Sequence, residues 1–92
     1  MAHVTVRLPG LLSRFTDGER QVTLDADSVE DCFDQLLETV PALEPHLFDS
    51  HGDLRAHLRV FHNGDAIDLA IDRDACLEDG DTVTILQAVS GG

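Results

Sequence analysis

One stretch of this chain clearly spaces its apolar residues as a helix does. Val29, Cys32, Phe33, Leu36, Leu37 and Val40 recur at i, i+3, i+4, i+7, i+8 and i+11, which gathers them on one stripe. Glu30, Asp31, Asp34 and Glu38 fall on the other side. Ser28 precedes the stripe and Asp31 stands three residues later, a capping box with Asp in place of the longer Glu. The acidic first turn suits the positive end of the helix dipole, and Pro41 stops the pattern. A single helix cannot cover both faces of a sheet. If the rest of the chain is β, the fold is α+β: a mixed sheet with one main helix packed on one face and the other face open to water.

The rest reads as β. Residues 3–8 alternate, with Val4, Val6 and Leu8 in one phase and His3, Thr5 and Arg7 in the other. Pro9-Gly10 ends that strand, a loop containing Asp17-Gly18 follows, and residues 21–24 resume the alternation as the second arm of a hairpin. Residues 41–53 are irregular, tacked down by Leu43, Leu47 and Phe48, with room for a short helical turn. Residues 56–62 read as a strand, Asn63-Gly64 as a tight hairpin turn, and residues 66–69 as the short returning strand. After a turn at Leu77-Glu78-Asp79-Gly80 comes the last strand, residues 82–89. In this phasing Val4, Val6, Leu58, Val60, Val83 and Ile85 face the helix. Arg7, Arg59, Phe61, Thr84 and Leu86 face the open side.

Composition narrows function by exclusion. Among 92 residues, 6 arginines stand against 18 carboxylates for a net charge of −12, and lysine is absent. Such a chain lacks the basic footprint of a nucleic-acid binder and is repelled by anionic membrane surfaces. Schiff-base chemistry and a P-loop both require lysine. No leader or membrane-span pattern is visible in the sequence, so the expectation is a cytoplasmic domain. Asp-rich, Lys-free composition fits a GC-rich coding bias or a high-salt cytoplasm, in which carboxylates keep a protein solvated.

The sequence ends Val89-Ser90-Gly91-Gly92, directly after a strand. A compact ββαββ(β) order running into Gly-Gly resembles the ubiquitin-like β-grasp proteins. Among these it is most similar to the ThiS/MoaD sulfur carriers and the small archaeal modifier proteins. The residues that carry the resemblance are Asn63-Gly64, Leu77-x-Asp79-Gly80-Asp81 and the closing run from Val83 through Ile85, Leu86, Ala88 and Val89 to Gly92. Where the family usually has proline after the position of Leu86, this chain has Gln87-Ala88, which leaves the tail less stiff. The resemblance implies a β-grasp domain over residues 1–89 and a flexible tail over 90–92. It implies a carrier rather than an enzyme, with no bound cofactor and a monomer when free. An E1-like enzyme would use ATP to adenylate the carboxylate of Gly92 while gripping Gly91, Ser90 and Val89. The acyl group would then pass to lysines of target proteins as isopeptide bonds, or become a thiocarboxylate. The thiocarboxylate would serve a sulfur-accepting enzyme, such as the molybdopterin synthase large subunit or a tRNA-thiolation system. Glycine suits such an end because it has no Cβ to crowd a narrow channel or an attacking nucleophile. Three alternatives stay open: sulfur carriage alone, a β-grasp interaction domain whose Gly-Gly never reacts, and a merely frayed end.

With no lysine, only the N-terminal amine could accept another copy of the chain. The open face, with Phe61 and Leu86 among Arg59 and Arg7, is the candidate partner surface, since interfaces favour aromatic and arginine anchors. The net charge alone favours a partner groove rich in Arg and Lys. Other constellations carry less. His51, His57 and His62 lack metal-ligand spacing. Cys32 lies on the helix stripe and Cys76 reads as a second buried small residue. Two cysteines are too few for the ferredoxin cluster that shares this topology. Asp72, Asp74, Asp79 and Asp81 read as a solvated acidic edge.

Overall fold

The computed structural model describes residues 2–87 of the chain. Five strands form one sheet: β1 (Ala2–Arg7), β2 (Gln21–Ala26), β3 (Leu58–His62), β4 (Asp65–Ile67) and β5 (Thr82–Gln87), in the order β2-β1-β5-β3-β4. β1 and β5 run parallel, with Thr5, Val6 and Arg7 beside Thr82, Val83 and Thr84. Every other pairing is antiparallel. The principal helix, α1 (Val29–Thr39), lies across one face. The helix-facing residues expected from the alternation, Val4, Val6, Leu58, Val60, Val83 and Ile85, are all buried, as are Val29, Cys32, Phe33 and Leu36 of α1.

The start of α1 shows how local chemistry fastens distant segments. The Ser28 hydroxyl accepts from the Asp31 backbone N–H at 3.1 Å, as a capping box requires. The returning arm differs: the Asp31 carboxylate accepts from the N–H of Asp27, one residue before the cap, at 3.0 Å. The first two helical N–H groups donate to carbonyls of the 73–77 segment, Val29 to Ala75 at 3.0 Å and Glu30 to Arg73 at 2.9 Å. Helix donors with no intrahelical acceptor thereby hold a connection that has little regular structure of its own. Cys32 is buried one turn in, and burial, with a smaller push from Asp31, raises its thiol to about 12, so it stays an inert apolar group.

Four segments differ from the sequence reading. Residues 10–16 form a seven-residue 3-10 helix, not a loop, and its Leu12 is buried. Polar groups within the turn compete for the backbone there, the Ser13 hydroxyl donating to the Gly10 carbonyl at 2.6 Å. β3 begins at Leu58, because residues 55–58 are spent on a turn in which the Leu58 N–H donates to the Arg55 carbonyl. β4 stops at Ile67, because Asp68 caps a short helix, α3 (Leu69–Asp72), by accepting from the Ala70 N–H at 2.9 Å. Cys76 is exposed, not buried: it sits opposite Ser28 in an isolated bridge at the surface.

The irregular segment does pack as expected. Pro41–Leu43 forms a short 3-10 turn and Glu44–Leu47 a single helical turn, α2, which together bury Leu43 and Leu47 completely. Phe48 follows with its ring edge-on to Phe33, centroids 5.8 Å apart. Leu47→Ala should therefore destabilise the fold by about 2–4 kcal/mol, as much as a helix-core truncation, with the loss read by chemical denaturation. A loss below about 1 kcal/mol would show that this segment is not part of the core.

Candidate functional site

β5 is the middle strand, flanked on both sides, and its last described residue, Gln87, pairs with Leu58. The expected tail grip, Val89, Ser90 and Gly91, and the expected reactive residue Gly92 lie outside the described residues. The structure does place the surface around the last described residues of β5.

Strand register arranges that surface. Arg59 lies directly opposite Leu86 across β3 and β5. One step along, Phe61, Thr84 and Arg7 stand in a row across β3, β5 and β1. Leu86 thus has Arg59 as its cross-strand partner and Phe61 and Arg7 as its diagonal neighbours, within reach of long or aromatic side chains. All four candidate face residues come together. Leu86 is 47% exposed and Phe61 half-buried, so the strand pairing itself does not consume the apolar centre. The Arg59 Nη1 donates to the carbonyls of Ala56 at 2.8 Å and Leu58 at 2.9 Å, which holds its guanidinium at the start of β3. Arg7 is exposed at the β1 end of the row.

Sequence reasoning missed two features. The first is a shallow recess of about 370 Å³ at the end of β5, where Gln87 meets Pro9, Leu11, Arg55 and His57. Leu11 is 56% exposed there; its signal was the Leu-Leu pair after Pro9-Gly10, of which only Leu12 turns inward. The second is a clamp at the opposite end of the sheet. Asn63 and Gly64 take positive φ, 54° and 104°, as the tight hairpin turn requires. The Asn63 amide then donates to Asp81 at 2.8 Å and its carbonyl oxygen accepts from the Thr82 N–H at 2.8 Å. Asp81 also accepts from the Glu78 N–H at 2.9 Å and meets His62 Nε2 at 2.7 Å. It is therefore the anchor of β5's starting register rather than part of a solvated acidic edge. Among the described residues no three His, Cys, Asp or Glu side chains converge as a metal site. No helix there is long and apolar enough to cross a membrane.

This architecture, with β1 and β5 parallel at the centre, a hairpin on each side and one helix across a single face, defines a ubiquitin-like β-grasp protein. The ThiS family pattern matches residues 6–92, and the chain belongs to that family. Small archaeal modifier protein 1 of Haloferax volcanii is 37% identical over 78 residues, covering 82% of this chain and 85% of that protein. Its crystal structure matches with a TM-score of 0.82 at 32% identity, over 97% of this chain and 100% of that one. The sulfur carrier protein CysO of Mycobacterium tuberculosis is 29% identical over 92 residues, 98% of this chain and 99% of that protein. The crystal structure of the Amycolatopsis orientalis BexX/CysO complex matches with a TM-score of 0.81 at 30% identity, over 97% of this chain and 99% of that one. The expected fold and family stand. This is a small protein of the sulfur-carrier and modifier type, not an enzyme.

The clamp has a pH signature. Asp81 is held at about 2, below its ordinary 3.8, first by the Asn63 amide, then by the Glu78 N–H and His62. A carboxylate depressed on folding contributes stability that is fully present above its unfolded pKa and disappears as pH falls through the folded one. Asp81→Asn should therefore flatten the acid-unfolding limb between about pH 4 and pH 2 in a circular-dichroism titration. An unchanged limb would show that Asp81 titrates alike in both states.

Proposed function

We propose that the carboxylate of Gly92 is the reactive group of this protein, and that an E1-like enzyme activates it with ATP. The carboxylate attacks the α-phosphorus of ATP, the bond to pyrophosphate breaks, and an acyl-adenylate forms. A sulfide-level nucleophile then adds to the acyl carbon and expels AMP, leaving a thiocarboxylate. Alternatively an enzyme thiol takes the acyl group as a thioester and a target lysine displaces it as an isopeptide. The observation that carries this reading is the family match over residues 6–92, which includes Ser90-Gly91-Gly92. The relatives named as a sulfur carrier and as a modifier support both outcomes.

On this reading Val89, Ser90 and Gly91 are held in the activating enzyme's channel, and Phe61, Leu86, Arg59 and Arg7 dock its surface. The complex of CysO with BexX supports a protein partner for this family type. The protein itself carries no cofactor, ATP being consumed by the enzyme. The reading requires a compartment that supplies ATP, so the site of action is the cytoplasm. With no lysine, conjugation would cap targets rather than build lysine-linked chains of this protein.

Intact-mass spectrometry after incubation with the organism's E1-like enzyme, ATP and a sulfur donor tests the proposal. The expected product has one oxygen replaced by sulfur, located on the C-terminal peptide, and deletion of Gly91-Gly92 abolishes it. An unchanged mass under conditions that load a known carrier overturns sulfur carriage. If adenylation is absent as well, the Gly-Gly end is not reactive.

A further inference from the structure

The open face carries a charge pattern opposite to that of the whole chain. Of the outward positions along the five strands, the charged ones are Arg7, Arg59 and a single carboxylate, Asp25. Asp25 lies at the far end of β2, 3.0 Å from His3. A chain of net charge −12 with 18 carboxylates thus presents a sheet face with one carboxylate, placed away from Leu86, and two arginines beside Leu86.

The arginines are also unspent. Among the described residues the ion pairs are His3–Asp25 and His62–Asp81, and no arginine lies within pairing distance of a carboxylate. Arg59, the cross-strand partner of Leu86, uses one nitrogen on the Ala56 and Leu58 carbonyls, and its other N–H donors make no hydrogen bond among the described residues. Arg7 is exposed and makes no side-chain hydrogen bond among the described residues. A guanidinium held in place and lacking an acid is suited to a carboxylate from outside, in paired hydrogen bonds.

We infer that the surface covering this face is an apolar recess bordered by carboxylates, which receives Leu86 and Phe61 and pairs with Arg59 and Arg7. This rests on the proposal that the face docks the activating enzyme, and gives that enzyme's contact surface a chemistry. It runs against the expectation from net charge, which favours a basic groove. The two act at different ranges. Repulsion from the distant carboxylates is screened over about 10 Å at 0.1 M salt and about 3 Å at 1 M, whereas desolvated contact pairs are screened much less.

The experiment compares Arg59→Glu, Arg7→Glu and Arg73→Glu in ATP–pyrophosphate exchange by the organism's E1-like enzyme. Each substitution makes the net charge more negative by two, so the long-range term is the same for all three. Arg73 follows α3, where its carbonyl accepts from the Glu30 N–H, and it occupies no strand position of the open face. Arg59→Glu and Arg7→Glu should each raise KM by about tenfold or more with kcat little changed, while Arg73→Glu stays within about threefold. If Arg59→Glu fails to fold, Arg7→Glu decides. Equal effects from all three, or tighter binding by the face variants, overturn the inference. Leu86→Ser separates the two levels of argument. If it raises KM while the arginine reversals do not, the anionic recess falls and the docking face stands. If none of these changes KM, the face does not dock the enzyme, and both fall.

Discussion

The parallel pairing of β1 with β5 is the constraint on which the rest of the molecule depends. Parallel neighbours cannot be joined by a tight turn; the chain between them must cross over one face of the sheet. Here α1 makes that crossing, and the 3.6-residue stripe of Val29, Cys32, Phe33 and Leu36 is buried against the strands. The same geometry leaves the other face uncovered and puts one hairpin on each side, β1 with β2 and β3 with β4. β5, paired on both edges, becomes the most enclosed strand. Residues on its outward phase are consequently held by two ladders, and positions on sheet strands are more precise than positions on loops. Leu86 and Thr84 inherit that precision, and so do Arg59 and Arg7 beside them.

The sheet and α1 do not make up the whole core. Leu8, Leu12, Leu43, Leu47 and Leu77, all outside the sheet and the main helix, are buried and complete it. What holds those segments is backbone chemistry rather than further regular structure. The Ala75 and Arg73 carbonyls serve the start of α1, and the Leu77 N–H donates to the Asp27 carbonyl at 3.0 Å. At the other end of the sheet, Asn63 uses its backbone for the turn and both ends of its amide for β5. The hairpin turn and the register of the central strand are therefore one arrangement, and the open face depends on it indirectly.

The sequence made legible whatever follows a period. The helix stripe, the alternation of β1 and, as far as residue 87, of β5, the inward and outward phases and the Asn63-Gly64 turn appear where those patterns place them, while β3 starts two residues later than its pattern. Register follows from phase plus pairing, so Phe61 and Leu86 could be assigned to one face without knowing that Arg59, not Phe61, stands directly opposite Leu86. Aperiodic segments were less legible. The 3-10 helix over residues 10–16 buries only Leu12 and so has no stripe to read. Asp81 looked like its acidic neighbours, because its distinction comes from Asn63 and His62 on another hairpin, which only the tertiary structure brings near. Cys76 was misplaced for a related reason. A bridge to Ser28 holds its backbone at the surface, so its apolar character does not decide its burial.

Net charge and local charge answer different questions in this molecule. A sum of −12 describes how the whole body is solvated and how it is seen from beyond a Debye length. It says little about a face from which nearly all carboxylates have been kept away. Had the arginines been spent on internal ion pairs, each would have contributed little at the surface, the usual value being about 0–1 kcal/mol. Without an acid among the described residues, Arg7 and the nitrogens that Arg59 does not spend on the Ala56 and Leu58 carbonyls keep donors for a contact in which water is excluded, where pairing with a carboxylate is stronger. The acidic body and the arginine-bordered face are therefore compatible: the first describes the chain as a whole, and the second describes the donors that stand around Leu86 on β5.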